Sequence, residues 1–445
     1  MQRPRTFRRW SVAMTWMVVA CSTYALTGSI ARGDRLTLLA SDQAAARARF
    51  DLIRSARREI DLAYFIVGED RFSRTMLDAL ARAARRGVRV RMVIDGFGTA
   101  LSLQTQQWLT SSGVQLREYH QPRLLQPESI TNRLHDKYLA RDGMEMIVGG
   151  RNLANTYFGR APAGQRNFVD VDLRITGKLV RASQYYFDAL WRSSAVRPVL
   201  AVPLSRSPPQ LMNALRQHLT PLTLFAGPVN VSLSDAEPVF APLEVDPHQL
   251  QFVYDSARYK TERTGVADAL CRLLDSARRS VVLETPYFVP EGRLDRALLA
   301  ALQRGVRVII LTNSLATTDH QVVYPAYHDC LTRYLKNGAE MWEYRGPDVL
   351  HAKTLVIDQR VAAVTSFNFD PRSAKLDTQT GVIVYDRRFA NQVLRAAQPH
   401  FDAAVRIRSL ATESSNAPNN SSSANLGPLR LEALRLVSRA IVPHL

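Results

Sequence analysis

Apolar residues recur along this chain with two alternating periods. The runs Ile60-Asp61-Leu62-Ala63-Tyr64-Phe65 and Val88-Arg89-Val90-Arg91-Met92-Val93-Ile94 are rich in β-branched residues and predict buried strands. Between them Met76, Leu77, Leu80 and Ala83 stand at i, i+3, i+4 spacing, the stripe of an amphipathic helix. The same order returns later. Val281-Val282-Leu283-Glu284 is followed by Leu294, Ala297, Leu298 and Leu302 at helical spacing, then by Val306-Arg307-Val308-Ile309-Ile310-Leu311. Gly87 and Gly305 close the two helices, in the place just past a helix end where glycine is common. Ser55-Ala56-Arg57-Arg58 and Ser276-Ala277-Arg278-Arg279 introduce the two units. Ser55 and Ser276 are 221 positions apart, and Gly87 and Gly305 are 218. An offset so nearly constant through several elements points to duplication rather than to two unrelated βαβ units. The pattern predicts an α/β protein of two pseudo-symmetric α/β/α halves, spanning 36–200 and 251–410. Each is expected to be a mixed, mostly parallel sheet flanked by helices.

The candidate chemistry keeps the same offset. His135-Asp136-Lys137-Tyr138-Leu139-Ala140-Arg141-Asp142 and His351-Ala352-Lys353-Thr354-Leu355-Val356-Ile357-Asp358 both read H-x-K-x4-D, with the two His 216 positions apart. Roughly 0.01 such motif is expected by accident in a chain of this composition. His and Lys two apart on a strand point to one face. Asp142-Gly143 reads as a hairpin turn between Leu134–Ala140 and Met144–Val148. With those two as the central turn residues, His135 faces Gly150 and Asn152 emerges beside it. In the second half Asp358-Gln359 turns the chain, His351 faces Ser366, and Asn368 follows. A His, a Lys and an Asn from each half are thus expected to converge, with the active site at the interface of the halves. Asp142 and Asp358 read mainly as turn residues; a direct catalytic role is the alternative.

Composition sharpens this picture. The chain has 445 residues, 46% hydrophobic and 22% charged, which excludes global disorder. Its net charge of +18 calls for an acidic partner, nucleic acid or an anionic membrane face. Only 6 of the 58 basic residues are Lys, yet two of the six lie in the motifs. A compact cation is therefore wanted there, not the generic Arg fork. Three cysteines, Cys21, Cys271 and Cys330, give no disulfide framework and no CxxC pair. A His with an Asp can hold a divalent ion, but the Lys between them opposes one. No metal and no cofactor are expected.

The ends read differently. Arg3, Arg5, Arg8 and Arg9 precede a short apolar run, Ser11 to Ala20, so residues 1–20 resemble a secretory signal. Val18-Val19-Ala20-Cys21 resembles a lipoprotein box with Cys21 as lipid acceptor; a simple cleaved signal and an uncleaved anchor are the alternatives. The Pro-rich segment 201–250 joins the halves, and 411–428 is a polar linker. Residues 429–445 read as a basic amphipathic helix, suited to an anionic membrane surface or to packing on its own domain.

The paired H-x-K-x4-D motifs, each followed by a GG or S-x-N element, resemble the phospholipase D superfamily. Pro286-Tyr287-Phe288-Val289-Pro290, Leu311-Thr312-Asn313-Ser314-Leu315-Ala316 and Ser366-Phe367-Asn368-Phe369-Asp370-Pro371-Arg372-Ser373 resemble its bacterial cardiolipin synthase branch, C-type members above all. The resemblance implies His135 as nucleophile, forming a phosphohistidine, and His351 as general acid and later base. Lys137, Lys353, Asn152 and Asn368 are suited to clamp the phosphate. It also implies a carboxylate for each His from the opposite half. Asp170 fits that place for His351. Gln379 stands where a Glu is usual for His135, and Asp377 is the candidate substitute. As a hypothesis, Gln379 tunes or weakens the activity. The implied reaction is phosphatidyl transfer to phosphatidylglycerol, giving cardiolipin, and C-type members are associated with phosphatidylethanolamine as donor. The implied setting is the bacterial membrane, exported side. A phospholipid hydrolase is one alternative. A superfamily nuclease would also suit the charge, but the export signal and branch motifs favour lipid, and no nucleic acid is expected. A catalytically dead scaffold is the non-enzyme alternative. Two interacting imidazoles titrate as a pair, so the rate is expected to follow a bell-shaped pH profile; a profile with no ionisation traceable to either His would contradict the paired site.

Overall fold

The computed structural model describes residues 33–99, 101–120, 131–199, 240–257 and 265–409. The first half runs β1 (Asp34–Leu39), α1 (Asp42–Ser55), β2 (Glu59–Tyr64), α2 (Arg71–Arg85), β3 (Arg89–Asp95), α3 (Leu103–Ser111), β4 (Gln115–Tyr119), β5 (Lys137–Arg141), β6 (Glu145–Gly149), β7 (Phe168–Val169), β8 (Asp172–Thr176), α4 (Leu179–Arg192) and β9 (Val196–Pro198). The chain continues with β10 (Leu243–Val245), β11 (Leu250–Tyr254), α5 (Gly265–Ser276), β12 (Ser280–Glu284), α6 (Gly292–Gln303), β13 (Arg307–Asn313), α7 (Tyr324–Lys336) and β14 (Glu340–Tyr344). It ends with β15 (Val349–Leu350), β16 (Thr354–Ile357), β17 (Val361–Thr365), α8 (Pro371–Lys375), β18 (Thr380–Val384), α9 (Arg387–Asp402) and β19 (Ala404–Ile407).

The predicted signals shape these elements. Asp70 caps α2 by accepting from the Ser73 amide. Met76, Leu77, Leu80 and Ala83 are buried beneath it, as are Leu294, Ala297 and Leu298 under α6; Leu302 is only partly covered. Gly87 and Gly305 take φ of 91° and 77°, the left-handed values that end both helices.

The first sheet has the strand order β10-β1-β8-β6-β5-β2-β3-β4-β9 and the second β11-β18-β17-β16-β12-β13-β14-β19. Without β10 the two orders correspond strand for strand, so the duplication read from the sequence is structural. The sheets are mixed, as expected, but not mostly parallel. Within them only β2–β3–β4 and β12–β13–β14 pair parallel; the other pairs are antiparallel. Strands joined through a helix can run parallel, whereas the motif strands are joined by tight hairpins, which cannot. The inner faces of both sheets share one apolar core with α4 and α9, including Tyr138, Val148, Ile175, Val364, Val382 and Phe389. Separate cores lie under α1 to α3 and under α5 to α7.

Residues 201–239 of the expected joining segment lie outside the described residues. Its last part is not a plain linker, because Leu243–Val245 adds β10 to the edge of the first sheet. The expected signal 1–20, Cys21, the linker 411–428 and the helix 429–445 also lie outside the described residues.

The motif hairpins differ from the sequence reading by one residue. β5–β6 pairs Arg141 with Glu145, and β16–β17 pairs Ile357 with Val361, so each loop has three residues. Asp142, Gly143, Asp358 and Gln359 are left-handed, with φ of 54°, 64°, 53° and 55°. Met144 and Arg360 follow as the added residues, a left-handed turn with a bulge. Extended back, this register sets His135 opposite Arg151 and His351 opposite Phe367, not Gly150 and Ser366.

The motif aspartates sit in these turns, far along the strand from the histidines. Asp142 accepts from the backbone amides of Arg57, Arg58 and Glu59 at 3.0, 2.7 and 3.0 Å. Asp358 does the same for Arg278, Arg279 and Ser280 at 3.0, 2.7 and 2.9 Å. These amides hold both carboxyl pKa values below the usual range despite partial burial. Both thus stand as the turn residues they mainly read as, and this geometry speaks against the alternative of a catalytic role: they fasten the loop before β2 or β12 to the motif hairpin. Asp142→Ala and Asp358→Ala are each expected to cost about 1–3 kcal/mol of stability in urea unfolding. A kcat loss of about 10²-fold in the folded variant would instead support a chemical role.

Candidate active site

Each motif is completed by backbone from the opposite half. β15 pairs parallel with β7, Val349 with Phe168 and Leu350 with Val169. His351, next in the chain, donates its backbone amide to Val169 O at 2.7 Å. The pseudo-symmetric contact is a bridge between Leu134 and Thr378. Here His135 N donates to Thr378 O at 3.1 Å, and Thr378 N to Arg133 O at 2.9 Å. The residue after each accepting carbonyl then meets the histidine ring.

For His351 that residue is Asp170, whose Oδ2 lies 2.5 Å from Nδ1. A Cβ on Gly150 would collide with this carboxylate, so the site needs glycine there. Burial alone would raise the Asp170 pKa; Lys353, His351 and Arg151 overcome it and hold the value at about 2. Lys353 Nζ also lies 2.8 Å from His351 Nδ1, while donating to His351 O. An ionised carboxylate attracts the ring proton and an ammonium repels it, so we assign Nδ1–H to the Asp170 side. Tyr157 and Phe168 stand edge-on to the ring at 5.2 and 5.1 Å.

For His135 the partner is Gln379, with Oε1 3.0 Å from Nδ1. Phe65 lies 5.2 Å from the ring. Both rings are anchored through Nδ1, which leaves Nε2 of each for chemistry. Burial and Lys137, then Lys353 and His351, push the His135 pKa well below the ordinary imidazole value against the Gln379 bond. Burial and Lys353 lower His351 to about 4 against the pull of Asp170. The two motifs therefore share one electrostatic environment.

The lysines show what that environment is built for. Lys137 is buried, donates to His135 O at 2.7 Å and lies 5.4 Å from the Phe65 ring centre. It has no ion-pair partner among the described residues. Burial and the neighbouring Lys353 push its pKa well below the usual ammonium value. Lys353 falls to about 8 through burial, opposed by Asp170 at 3.8 Å and by Asp319. Burial disfavours the charged form of both lysines, and an incoming anion would restore it, so the site favours an anion. Among the described residues no group of three or more His, Cys, Asp or Glu is arranged to hold a metal ion.

The sequence matches the family model described as "Cardiolipin synthase, PLD-like domain" over residues 50–191 and 270–400, more than half of the chain. The chain belongs to the cardiolipin synthase, PLD-like domain family. It is 29% identical to "Cardiolipin synthase C" of Escherichia coli (strain K12) over 81% of this chain and 84% of that one. It is 27% identical to "Cardiolipin synthase A" of Pseudomonas entomophila (strain L48), over 84% of this chain and 70% of that one. The fold is similar to the crystal structure of phosphatidylserine synthase from Haemophilus influenzae Rd KW20, with a TM-score of 0.67, 17% identity, and coverage of 92% of this chain and 95% of that one. As a member of this phospholipase D-like family, the protein is a phosphodiester transferase.

The remaining candidates fall into place within the phospholipase D-like site. Asn152 is buried, accepts from Ile66 N at 3.2 Å and donates to Tyr157 Oη at 2.9 Å. It shapes the His351 wall through Tyr157. Asn368 is buried, and its Oδ1 has no partner among the described residues. Asp377 does not substitute for the missing Glu, because Gln379 itself reaches His135 and Arg372 Nε binds Asp377 at 3.0 Å. The strand registers align Tyr64 with Thr285. Tyr64 is core beside Arg49, whereas Tyr287 donates to Asp319 at 2.7 Å. Sequence reasoning missed Phe65, Tyr157 and Phe168, whose ring contacts have no motif spacing. It also missed Asp319, which acts on His351 and Lys353 from a loop remote in sequence.

Burial and Lys353 lower the His351 pKa to about 4, so its imidazole is uncharged at pH 7. A bound phosphodiester anion pulls that value up, so binding is expected to take up protons and to strengthen as pH falls. Titration calorimetry with a soluble glycerophosphodiester, in buffers of different ionisation heat, measures this. Zero uptake between about pH 5 and 8 would mean that neither ring changes charge on binding.

Proposed function

We propose that this protein is a phosphatidyltransferase that makes cardiolipin by moving a phosphatidyl group onto phosphatidylglycerol through a phosphohistidine. The observation that carries this reading is the pair of buried imidazoles, each anchored through Nδ1 by the opposite half and flanked by a buried lysine. A phosphodiester is anionic and resists attack. Lys137 and Lys353 offset its charge, which grows toward the transition state. In the first step His135 Nε2 attacks phosphorus while His351 protonates the departing alcohol. In the second, His351 removes the proton of the incoming hydroxyl, whose oxygen takes the phosphatidyl group and frees His135.

The lipid identity rests on the relatives named cardiolipin synthase and on the apolar walls, Phe65, Tyr157 and Phe168, around the rings. Walls of this kind exclude water and favour a lipid hydroxyl as acceptor. The basic head of residues 1–20, Cys21 and the net charge of +18 support a place at the bacterial membrane, on the exported side and against its anionic surface. No described helix is long and apolar enough to cross a membrane.

Purified protein in vesicles with labelled phosphatidylglycerol is expected to form cardiolipin. A parallel arm adds phosphatidylethanolamine as donor. Phosphatidic acid as the product in every arm would make the protein a hydrolase instead, and cleavage of a DNA control without lipid turnover would make it a nuclease. His135→Ala and His351→Ala are each expected to lower turnover by about 10³-fold or more.

A further inference from the structure

A cleft of about 510 Å³ lies at the hairpin end of the second half, lined by Gln249, Arg279, Arg360, Tyr385, Asp386 and Arg387. Asp358 in this hairpin stands seven positions beyond His351, roughly 20 Å of extended chain, so the cleft is separate from the paired histidines. Its arginines are held from behind. Asp358 binds the Arg279 amide at 2.7 Å from the same hairpin that carries Arg360, so one carboxylate fastens both pieces together. Arg360 N donates to Ile357 O at 2.9 Å, and Tyr385 N to Gln249 O at 2.8 Å, which joins the ends of β18 and β11. Arg387 opens α9.

These arginines are not neutralised from within. None of the three guanidinium groups has an ion pair or a hydrogen bond among the described residues. Asp358 feels the charge of Arg279 but spends its oxygens on three backbone amides. Asp386, the carboxylate in the cleft, pairs with Arg388 at 2.8 Å and accepts from the Arg388 and Phe389 amides at 2.7 and 3.1 Å. The equivalent corner of the first half is built differently. There Arg58, which matches Arg279, donates to Asp142 O at 2.7 Å, and Met144 stands in the place of Arg360. Glu59 and Glu145 stand where the second half has Ser280 and Val361. Glu59 pairs with Arg89, and Glu145 with Arg141 and Arg174. The duplicated scaffold therefore closes this corner without free guanidinium groups, and the fold alone does not account for those of the second half.

We propose that this cleft is a second anion site, which takes the phosphate group of a small phosphate ester through Arg279, Arg360 and Arg387. A guanidinium presents a planar fork of donors that matches two phosphate oxygens at once. Three forks from separate elements surround a tetrahedral group, with Asp386 already compensated by Arg388. The cleft has the size of a small-molecule site and exceeds what a bare phosphate fills. The Gln249 amide and the Tyr385 hydroxyl are at hand for hydroxyls on the attached group. A lipid head group and a soluble phosphate ester share this chemistry. The site is independent of the transferase reading, because none of its residues belongs to the paired-histidine site.

Titration calorimetry of the full chain with glycerol 1-phosphate, at fixed ionic strength, reads the soluble ligand. Sedimentation with phosphatidylglycerol vesicles, against phosphatidylcholine vesicles, reads the head group. The triple variant Arg279→Gln, Arg360→Met, Arg387→Gln is compared with a charge-matched control, Arg181→Gln, Arg197→Gln, Arg296→Gln, which removes three exposed arginines outside the cleft. The cleft variant is expected to bind about 10-fold more weakly or not at all at one site, while the control keeps that event. Weaker sedimentation with phosphatidylglycerol in the cleft variant alone identifies a lipid head group as the ligand; a change confined to the soluble arm identifies a free phosphate ester. Equal binding by the two triple variants in both arms overturns the proposal. Arg360→Met by itself, which copies the first-half residue, decides the matter if the triple variant does not fold: undiminished binding there overturns the site. Turnover is not the readout, so a protein that transfers no phosphatidyl group would end the transferase reading and leave this test standing.

Discussion

The site depends on a reciprocal backbone exchange between two copies of one fold. Each motif histidine gives its amide to a carbonyl of the other half, Val169 for His351 and Thr378 for His135. The side chain that follows each carbonyl is the partner of the ring. Neither half can therefore position its own histidine. Asp136 strengthens the same seam, accepting at 2.8 Å from Tyr186 and at 2.9 Å from Thr378 of the second half. Burial pushes its pKa to about 6, yet both hydroxyls favour its charged form. A shared apolar core behind the exchange keeps the sheets face to face.

Charge explains why such a seam is worth its cost. Two buried lysines and two buried imidazoles sit together, and burial works against every protonated form. Lys137, His135 and His351 all lie below their ordinary pKa values for this reason first. In water such a cluster would be unremarkable. In a buried interface it is under electrostatic tension that an anion would relieve. The aspartates that complete the motif stand outside this tension, at the far hairpin, where backbone amides absorb their charge.

Duplication supplies two-fold geometry, yet the two rings have unlike partners. The strands are equivalent throughout the eight-strand core of each sheet. Departures stand at the rings: Asp170 against Gln379, and Gly150 against Ser366.

Much of this was legible in the chain itself. Periodicity gave the two α/β halves, because burying one face of a helix or both faces of a strand requires a fixed spacing of apolar residues. The motif repeat located His135, Lys137, His351 and Lys353, because a duplicated site repeats its spacing. Gly87 and Gly305 marked helix ends, because few other residues adopt left-handed φ at low cost. The one-residue slip in the motif hairpins was not legible, because a two-residue and a three-residue turn share the same Asp-Gly signal. Nor was the antiparallel share of the sheets, which follows from how the strands fold back. Local sequence determined what each half could become and which groups it would carry. Tertiary structure alone decided that Gln379 reaches His135 while Asp377 is held by Arg372, and that Phe65, Tyr157 and Phe168 wall the rings. Those contacts join residues up to 244 positions apart, and no local spacing rule specifies which of two neighbouring side chains a distant ring will meet.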